Sequence, residues 1–69
     1  MKEIRIHSET IKLDQLLKFA GIAQTGGQSK LMIKEGLVLL NGETVLERGK
    51  KIKKGDIIEI KNMDKFIVV

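Results

Sequence analysis

The sequence predicts an α+β fold in which two short helices pack against a small, mostly antiparallel sheet, with the elements in the order β-α-α-β-β-β-β. Three observations support this class. Apolar residues recur with a helical period between residues 11 and 34, the period changes to two from residue 37 onward, and an Asn-Gly pair separates two apolar runs. At 69 residues the chain is expected to form a single domain, residues 1–69.

The first strand and the first helix are predicted from alternation and from an apolar stripe. Lys2–His7 alternates, with Ile4 and Ile6 on one face. Ser8 or Thr10 could then cap a helix over residues 11–20. Four apolar residues in that segment follow the spacing i, i+3, i+4, i+7, namely Leu13, Leu16, Leu17 and Ala20.

The second helix is predicted to begin at Thr25 and to end at Gly36. Thr25 and Gln28 have the spacing of a capping box, in which each side chain accepts a backbone N–H of the other residue. Lys30 and Lys34 are four residues apart, so they share one side of this helix. Ser29, Met32 and Ile33 are expected on the packed side.

The second half of the chain is predicted to contain strands only. Asn41-Gly42 lies between "LVLL" and "ETVL", and this is the strongest short-range signal for a tight hairpin. A basic run then leads through the Gly55-Asp56 turn to strands over residues 57–61 and 65–69. Leu37 and Leu39 alternate with Val38 and Leu40, so both faces of the sheet are expected to carry apolar side chains.

Positive charge is concentrated in one segment. The net charge is +4, yet residues 1–47 contain six basic and six acidic residues, whereas residues 48–54 contain five basic and no acidic ones. Such local asymmetry indicates a polyanionic partner, although lysines in a loop can also serve only solubility. Cysteine is absent, and no apolar run is long enough to span a membrane. We expect a cytoplasmic protein that does not contact membranes.

No catalytic or metal-binding constellation is visible, so we expect no enzyme activity, no cofactor, no metal and no small-molecule substrate. His7 is the only histidine. Residues 21–28 begin with the Gly-x4-Gly spacing of a phosphate-binding loop, but Gly27 and Gln28 occupy the positions that need lysine and a hydroxyl. Phe19 and Phe66 are the only aromatic residues and are expected in the core, which leaves no platform for stacking unpaired bases.

The segment from Lys12 to Glu43 resembles the S-four type RNA-binding domain, also called the alpha-L RNA-binding motif. The matching features include "KLD" at residues 12–14, "GIA" at residues 21–23, Ile33 with Gly36, and the run from Val38 to Gly42. The later "RGKKIKKGDIIEI" is similar to the end of the same domain, so the motif covers about residues 11–60. The Gly-Gly loop resembles the free-standing YaaA-like subfamily.

This resemblance implies a non-enzymatic protein that binds structured RNA, often ribosomal, through the two helices and the loop between them. Lys12 and Lys30 match basic positions of the family. The usual arginine before the second helix is replaced here by Gly26. Two interpretations of Gly26 and Gly27 remain open: they let a phosphate approach the N–H groups of the helix start, or they only permit a tight turn.

We therefore predict an RNA-binding surface on a monomer, formed by the following residues: Lys12, Gly26, Gly27, Lys30, Lys34, Arg48, Lys50 and Lys51. Two alternatives stay open. "LLNGE" and "KKGDIIEI" also resemble ubiquitin-like (β-grasp) sulfur carriers, although those end in Gly-Gly and this chain ends in Val68-Val69. The second alternative is a protein-interaction module that uses Leu37 and Leu39 and needs no RNA.

Overall fold

The computed structural model describes all residues, 1–69, and confirms the α+β class with two helices on a mostly antiparallel sheet. Seven strands and two helices follow one another along the chain: β1 (Lys2–Ile4), β2 (Thr10–Lys12), α1 (Leu13–Phe19), α2 (Gly26–Lys34), β3 (Val38–Leu40), β4 (Glu43–Thr44), β5 (Lys51–Lys53), β6 (Ile57–Ile60) and β7 (Lys65–Val68). The predicted order is thus present, with β2 and β5 added to it.

Five strands form the main sheet in the order β1-β7-β6-β3-β4, and only the β1–β7 pair is parallel. The β3–β4 hairpin turns at Asn41 and Gly42, whose φ angles are 51° and 89°. Both residues are therefore left-handed, as a type I′ turn requires, and the predicted hairpin is confirmed. Its second strand is shorter than expected, because it ends at Thr44 and leaves Leu46 outside the sheet.

The strands β2 and β5 form a separate antiparallel ribbon that the sequence analysis did not anticipate. Thr10 pairs with Lys53, Ile11 with Ile52 and Lys12 with Lys51. Ile52 is fully buried, so the basic run is not a plain loop but a strand whose central side chain enters the core. Each strand has only three residues, too few to give a periodic signal, and the pairing joins segments about forty residues apart.

Helix α1 starts later than predicted, because residues 10–12 pair with β5 instead of joining the helix. The segment from Thr10 to Lys12 is extended, and neither Ser8 nor Thr10 caps the helix. The first N–H groups of the helix instead donate to main-chain carbonyls of the basic run: Leu13 N–H to Lys50 O at 2.9 Å and Asp14 N–H to Arg48 O at 3.0 Å. These bonds satisfy donors that every helix start leaves without an internal partner.

Helix α2 begins and ends close to its predicted limits. Thr25 is the N-cap, and its Oγ1 accepts the Gln28 N–H at 3.1 Å. The reciprocal bond is displaced by one residue, since Gln28 Oε1 accepts the N–H of Gln24, at 2.7 Å, instead of that of Thr25. Gly36, with φ of 75°, follows the helix end.

The core lies between the helices and the inner face of the sheet. Leu13, Leu16 and Leu17 are fully buried, as the apolar stripe predicts, and they pack in one cluster with residues such as Ile33 and Ile58. Phe19 was expected in the core, and this was wrong, because its side chain is 55% exposed at the end of α1. Phe66 is only partly buried.

Ser29 on α2 is fully buried, and its Oγ has no hydrogen-bond partner. An unpaired buried hydroxyl lowers stability by about 1 kcal/mol or more. We predict that Ser29→Ala raises the free energy of unfolding by about 1 kcal/mol, measured by urea denaturation. Ser8→Ala is the matched control, because Ser8 Oγ is exposed and donates to Thr10 O at 2.7 Å. Equal effects of the two changes would contradict this prediction.

Asp56 joins the hairpin turn to the turn before β6. Its carboxylate accepts the Lys53 N–H at 2.9 Å, the Asn41 amide at 3.2 Å and the Lys53 ammonium at 3.2 Å. Asn41 Oδ1 in turn accepts the Ile57 N–H at 2.9 Å. Burial alone would raise the pKa of Asp56, but the hydrogen bonds and the Lys53 charge outweigh it and hold the pKa below its usual value of 3.8.

This depressed pKa predicts a loss of stability in acid. The unfolded chain takes up the Asp56 proton first, so the contribution of Asp56 is complete well above pH 3.8 and is lost as the pH falls through the folded-state pKa. Thermal unfolding of the wild type and of Asp56→Asn, measured from neutral pH into acid, checks this. The difference in melting temperature between the two should shrink as the pH falls. A constant difference would show that the carboxylate charge contributes nothing.

Candidate nucleic-acid interface

A cleft between α2 and the segment that connects β4 to β5 is lined by three cations that form no ion pair. Lys30 and Lys34 come from one side of α2, one turn apart, and Arg48 comes from the connecting segment. Ile33 and Leu46 also line the cleft. The predicted Lys30–Lys34 pair is therefore joined by a third cation from a distant part of the chain.

The backbone of the basic run is fixed, while its side chains stay outside. Arg48 O and Lys50 O accept the first N–H groups of α1, and the Lys50 N–H donates to Glu47 O at 3.2 Å, which closes a turn. The main chain is thus held against the helix by bonds that use no charged side chain. All six basic residues predicted for the surface are exposed: Lys12, Lys30, Lys34, Arg48, Lys50 and Lys51.

None of these six side chains forms an ion pair with a carboxylate. The ion pairs of the molecule are Lys2–Asp64 at 2.8 Å, Lys53–Asp56 at 3.2 Å and Lys65–Glu59 at 4.0 Å. Unpaired cations that lie close together repel one another, and an anion that contacts several of them relieves this repulsion. The arrangement is suited to binding a polyanion.

The structure separates the predicted residues into groups. Lys12 and Lys51 are direct partners across the β2–β5 ribbon, so two like charges stand side by side there. Lys50 instead lines a depression beside the hairpin, together with Leu40 and Glu43 among others. The basic run therefore does not act as one patch, because alternation along the strand and the turn before it send its side chains in different directions.

Gly26 and Gly27 form the first turn of α2, and neither has a positive φ. A left-handed turn is therefore not the reason for these glycines. Their N–H groups donate to no acceptor in the protein, and a Cβ on Gly26 would meet nothing within 4 Å. Lys30 follows Gly26 by four residues, so the open helix start and the cleft lie along one side of α2.

Other parts of the molecule show no comparable candidate site. His7 lies with Ser8, Glu9, Lys53 and Lys54 around a polar depression. No group of three His, Cys, Asp or Glu side chains could hold a metal ion. No helix is long and apolar enough to cross a membrane.

Comparison with known families identifies the fold. The family model described as S4 domain matches residues 4–69. The chain belongs to the S4 domain family. The S-four resemblance is confirmed, and the match extends beyond residues 11–60 at both ends.

A relative and a solved structure support this assignment. The chain is 42% identical over 66 residues to the "Probable ribosome maturation protein RlbA" of Bacillus subtilis (strain 168), a match that covers 96% of this chain and 93% of the relative. It also superposes on 30S ribosomal protein S4e from Thermoplasma acidophilum with a TM-score of 0.75. That match covers 91% of this chain but only 33% of the ribosomal protein, and at 23% identity it shows the fold alone.

Leu46 is the cleft residue that the sequence analysis missed. The apolar run "ETVL" indicated a strand, and a strand residue at that position would pack in the sheet. Because β4 ends at Thr44, Leu46 emerges beside α2 instead and is 65% exposed. No local signal in the sequence marks this exit from the sheet.

Proposed function

We propose that this chain is a non-enzymatic RNA-binding protein that recognises structured ribosomal RNA, or a ribosome assembly intermediate, through phosphate and shape contacts. The observation that carries the proposal is the cleft in which Lys30, Lys34 and Arg48 converge without any carboxylate partner. Membership of the S4 domain family and a relative named as a probable ribosome maturation protein support it. We further propose that it acts in the cytoplasm as a monomer.

In this proposal the lysine and arginine side chains contact phosphates in different ways. Lys30 and Lys34 act as point charges toward neighbouring phosphates, whereas Arg48 can donate two parallel N–H bonds to one phosphate. Lys12 and Lys51 extend the contact along the ribbon, and Lys50 reaches RNA that passes beside the hairpin. The free N–H groups of Gly26 and Gly27 bind a further phosphate at the positive end of the α2 dipole.

Phosphate contacts carry little sequence information, so selectivity must come from the shape of the RNA. The cleft contains no aromatic side chain. Phe19 is exposed, but one phenyl ring does not form a stacking surface for several bases. Phe66 is the only other aromatic residue and is partly buried. The protein therefore lacks aromatic side chains on which successive single-stranded bases could stack. We expect it to bind folded RNA in preference to single-stranded RNA.

The two alternatives have weaker support. The S4 domain match decides against the β-grasp carrier resemblance. Leu37 and Leu39 are half-buried, and Leu39 shares the outer sheet face with Glu59, so this face is mixed in character rather than an apolar patch. No observation therefore favours an interaction module that works without RNA.

Binding to folded ribosomal RNA transcribed in vitro should be strongly salt-dependent. If about five phosphates are neutralised, the logarithm of affinity should fall with the logarithm of salt concentration at a slope of about −4. Lys30→Ala, Lys34→Ala and Arg48→Ala should each reduce the magnitude of that slope by roughly one. Fluorescence anisotropy over a salt series measures these slopes.

Lys65→Ala is the control for these variants. Lys65 is exposed and lies with Glu59 on the sheet face away from the core, so its removal should leave the slope unchanged. A slope near zero for the wild type would refute the RNA-binding proposal. Equal competition by a single-stranded homopolymer of the same length would instead refute recognition by shape.

Gly26→Ala should affect stability and binding in opposite directions. The backbone is not left-handed and a Cβ would lie in open space, so alanine should stabilise the fold by about 0.4 to 1 kcal/mol. The same methyl group stands where a phosphate approaches the N–H groups, so RNA affinity should fall about tenfold. Thermal unfolding and anisotropy measure the two effects.

Gly36→Ala provides the matched control at the other end of α2. Gly36 has φ of 75°, so alanine there should destabilise the fold by about 1 kcal/mol or more while the folded fraction binds RNA normally. If Gly26→Ala bound RNA as tightly as the wild type, the helix start would not contact phosphate.

A further inference from the structure

Leu46 gives the cationic cleft an apolar wall that phosphate binding does not need. Its side chain is 65% exposed, and it lines the cleft together with Ile33, which is fully buried. A single exposed leucine is common on protein surfaces, but this one lines the same cleft as Lys30, Lys34 and Arg48. The cleft has a volume of about 320 Å³, near the lower end of the range for small-ligand pockets.

The exposed position of Leu46 is fixed by the backbone on both sides. The Val45 N–H donates to Val38 O at 3.0 Å, and Val45 itself packs against the core. After Leu46, the Glu47–Lys50 turn and the Arg48 carbonyl bond to α1 hold the chain again. Leu46 is therefore presented by a main chain that is tied down at each end, and its exposure does not result from a loose loop.

A cavity with an apolar wall, three cations and a small volume has the chemistry of a nucleotide site. We propose that the cleft takes one unpaired nucleotide extruded from structured RNA, with its base between Leu46 and the Arg48 guanidinium and its flanking phosphates on Lys30 and Lys34. This inference rests on the proposed RNA-binding function and names the feature of the RNA that the site selects.

The geometry favours an unpaired nucleotide over a regular duplex. A base inside a duplex has both faces covered by its neighbours, so a duplex would present only phosphates and sugars to the cleft and would leave Leu46 without a partner. An extruded base exposes an apolar face, which Leu46 can cover, and guanidinium planes stack on bases of any identity. The cations around the leucine then reach the phosphates on either side of the same nucleotide.

The test uses five RNA hairpins with the same stem, one fully paired and four with a single unpaired A, C, G or U. The wild type should bind at least one of the four about tenfold more tightly than the paired hairpin at the same salt concentration, because an extruded base buries apolar surface against Leu46. Leu46→Ala should abolish this preference. It should leave the affinity for the paired hairpin and the salt slope unchanged, because no charge is removed.

Two further variants make the test specific. Leu31→Ala is the matched control, since Leu31 is 55% exposed on α2 but does not line the cleft, and it should keep the preference. Arg48→Lys retains the positive charge and loses the planar guanidinium, so it should weaken the preference while preserving the salt slope. Circular dichroism melts should be close to wild type for all three variants, because the altered side chains are exposed.

The outcomes separate this inference from the function on which it rests. Absence of binding to all five hairpins and to ribosomal RNA would refute both. Salt-dependent binding that is equal for all five hairpins, or a preference that survives in Leu46→Ala, would refute the nucleotide site and leave the RNA-binding function standing. If Leu46→Ala weakened binding to ribosomal particles but did not weaken binding to any RNA, Leu46 would contact a protein. The inference would then be wrong.

Discussion

Two main-chain hydrogen bonds at the start of α1 fix the position of the basic run, and the candidate site depends on them. Leu13 N–H donates to Lys50 O and Asp14 N–H to Arg48 O, and they replace the side-chain cap that α1 lacks. Because α1 supplies three fully buried leucines to the core, the bonds connect the basic run directly to the centre of the core. The same bonds bring Arg48 to the side of α2, where the cleft forms.

This mode of attachment separates the cations that form ion pairs from those of the cleft, which form none. Lys2, Lys53 and Lys65 are used in ion pairs, and Lys53 also supports the buried Asp56. The cations of the cleft take no part in such pairs, since the segment that carries Arg48 is fixed through carbonyl groups. Exposed ion pairs contribute little to stability in any case. The three cationic side chains of the cleft are therefore not held in place by ion pairs that the fold needs.

The sequence allowed prediction wherever the signal was local. The apolar stripe of α1, the Thr25 cap of α2 and the Asn41-Gly42 turn each depend on residues within a few positions of one another, and all three are present. The β2–β5 ribbon depends on pairing between distant segments, so neither the late start of α1 nor the burial of Ile52 could be read from spacing. Phe19 was misplaced because it was assigned to the core for its apolar side chain, although its spacing puts it off the stripe of buried leucines.

The candidate site shows the same division. The Lys30–Lys34 pair follows from helical spacing, whereas the approach of Arg48, the distance of Lys50 from it and the exposure of Leu46 require the three-dimensional fold. The glycines at the start of α2 complete the argument. Gly26 is the first residue of α2, where glycine is less unfavourable than in a helix interior, but alanine there would still restrict the unfolded chain. Neither φ nor crowding requires glycine at Gly26. Left-handed geometry and packing do not account for Gly26, whereas the proposed approach of a phosphate to the free N–H groups beside Lys30 would.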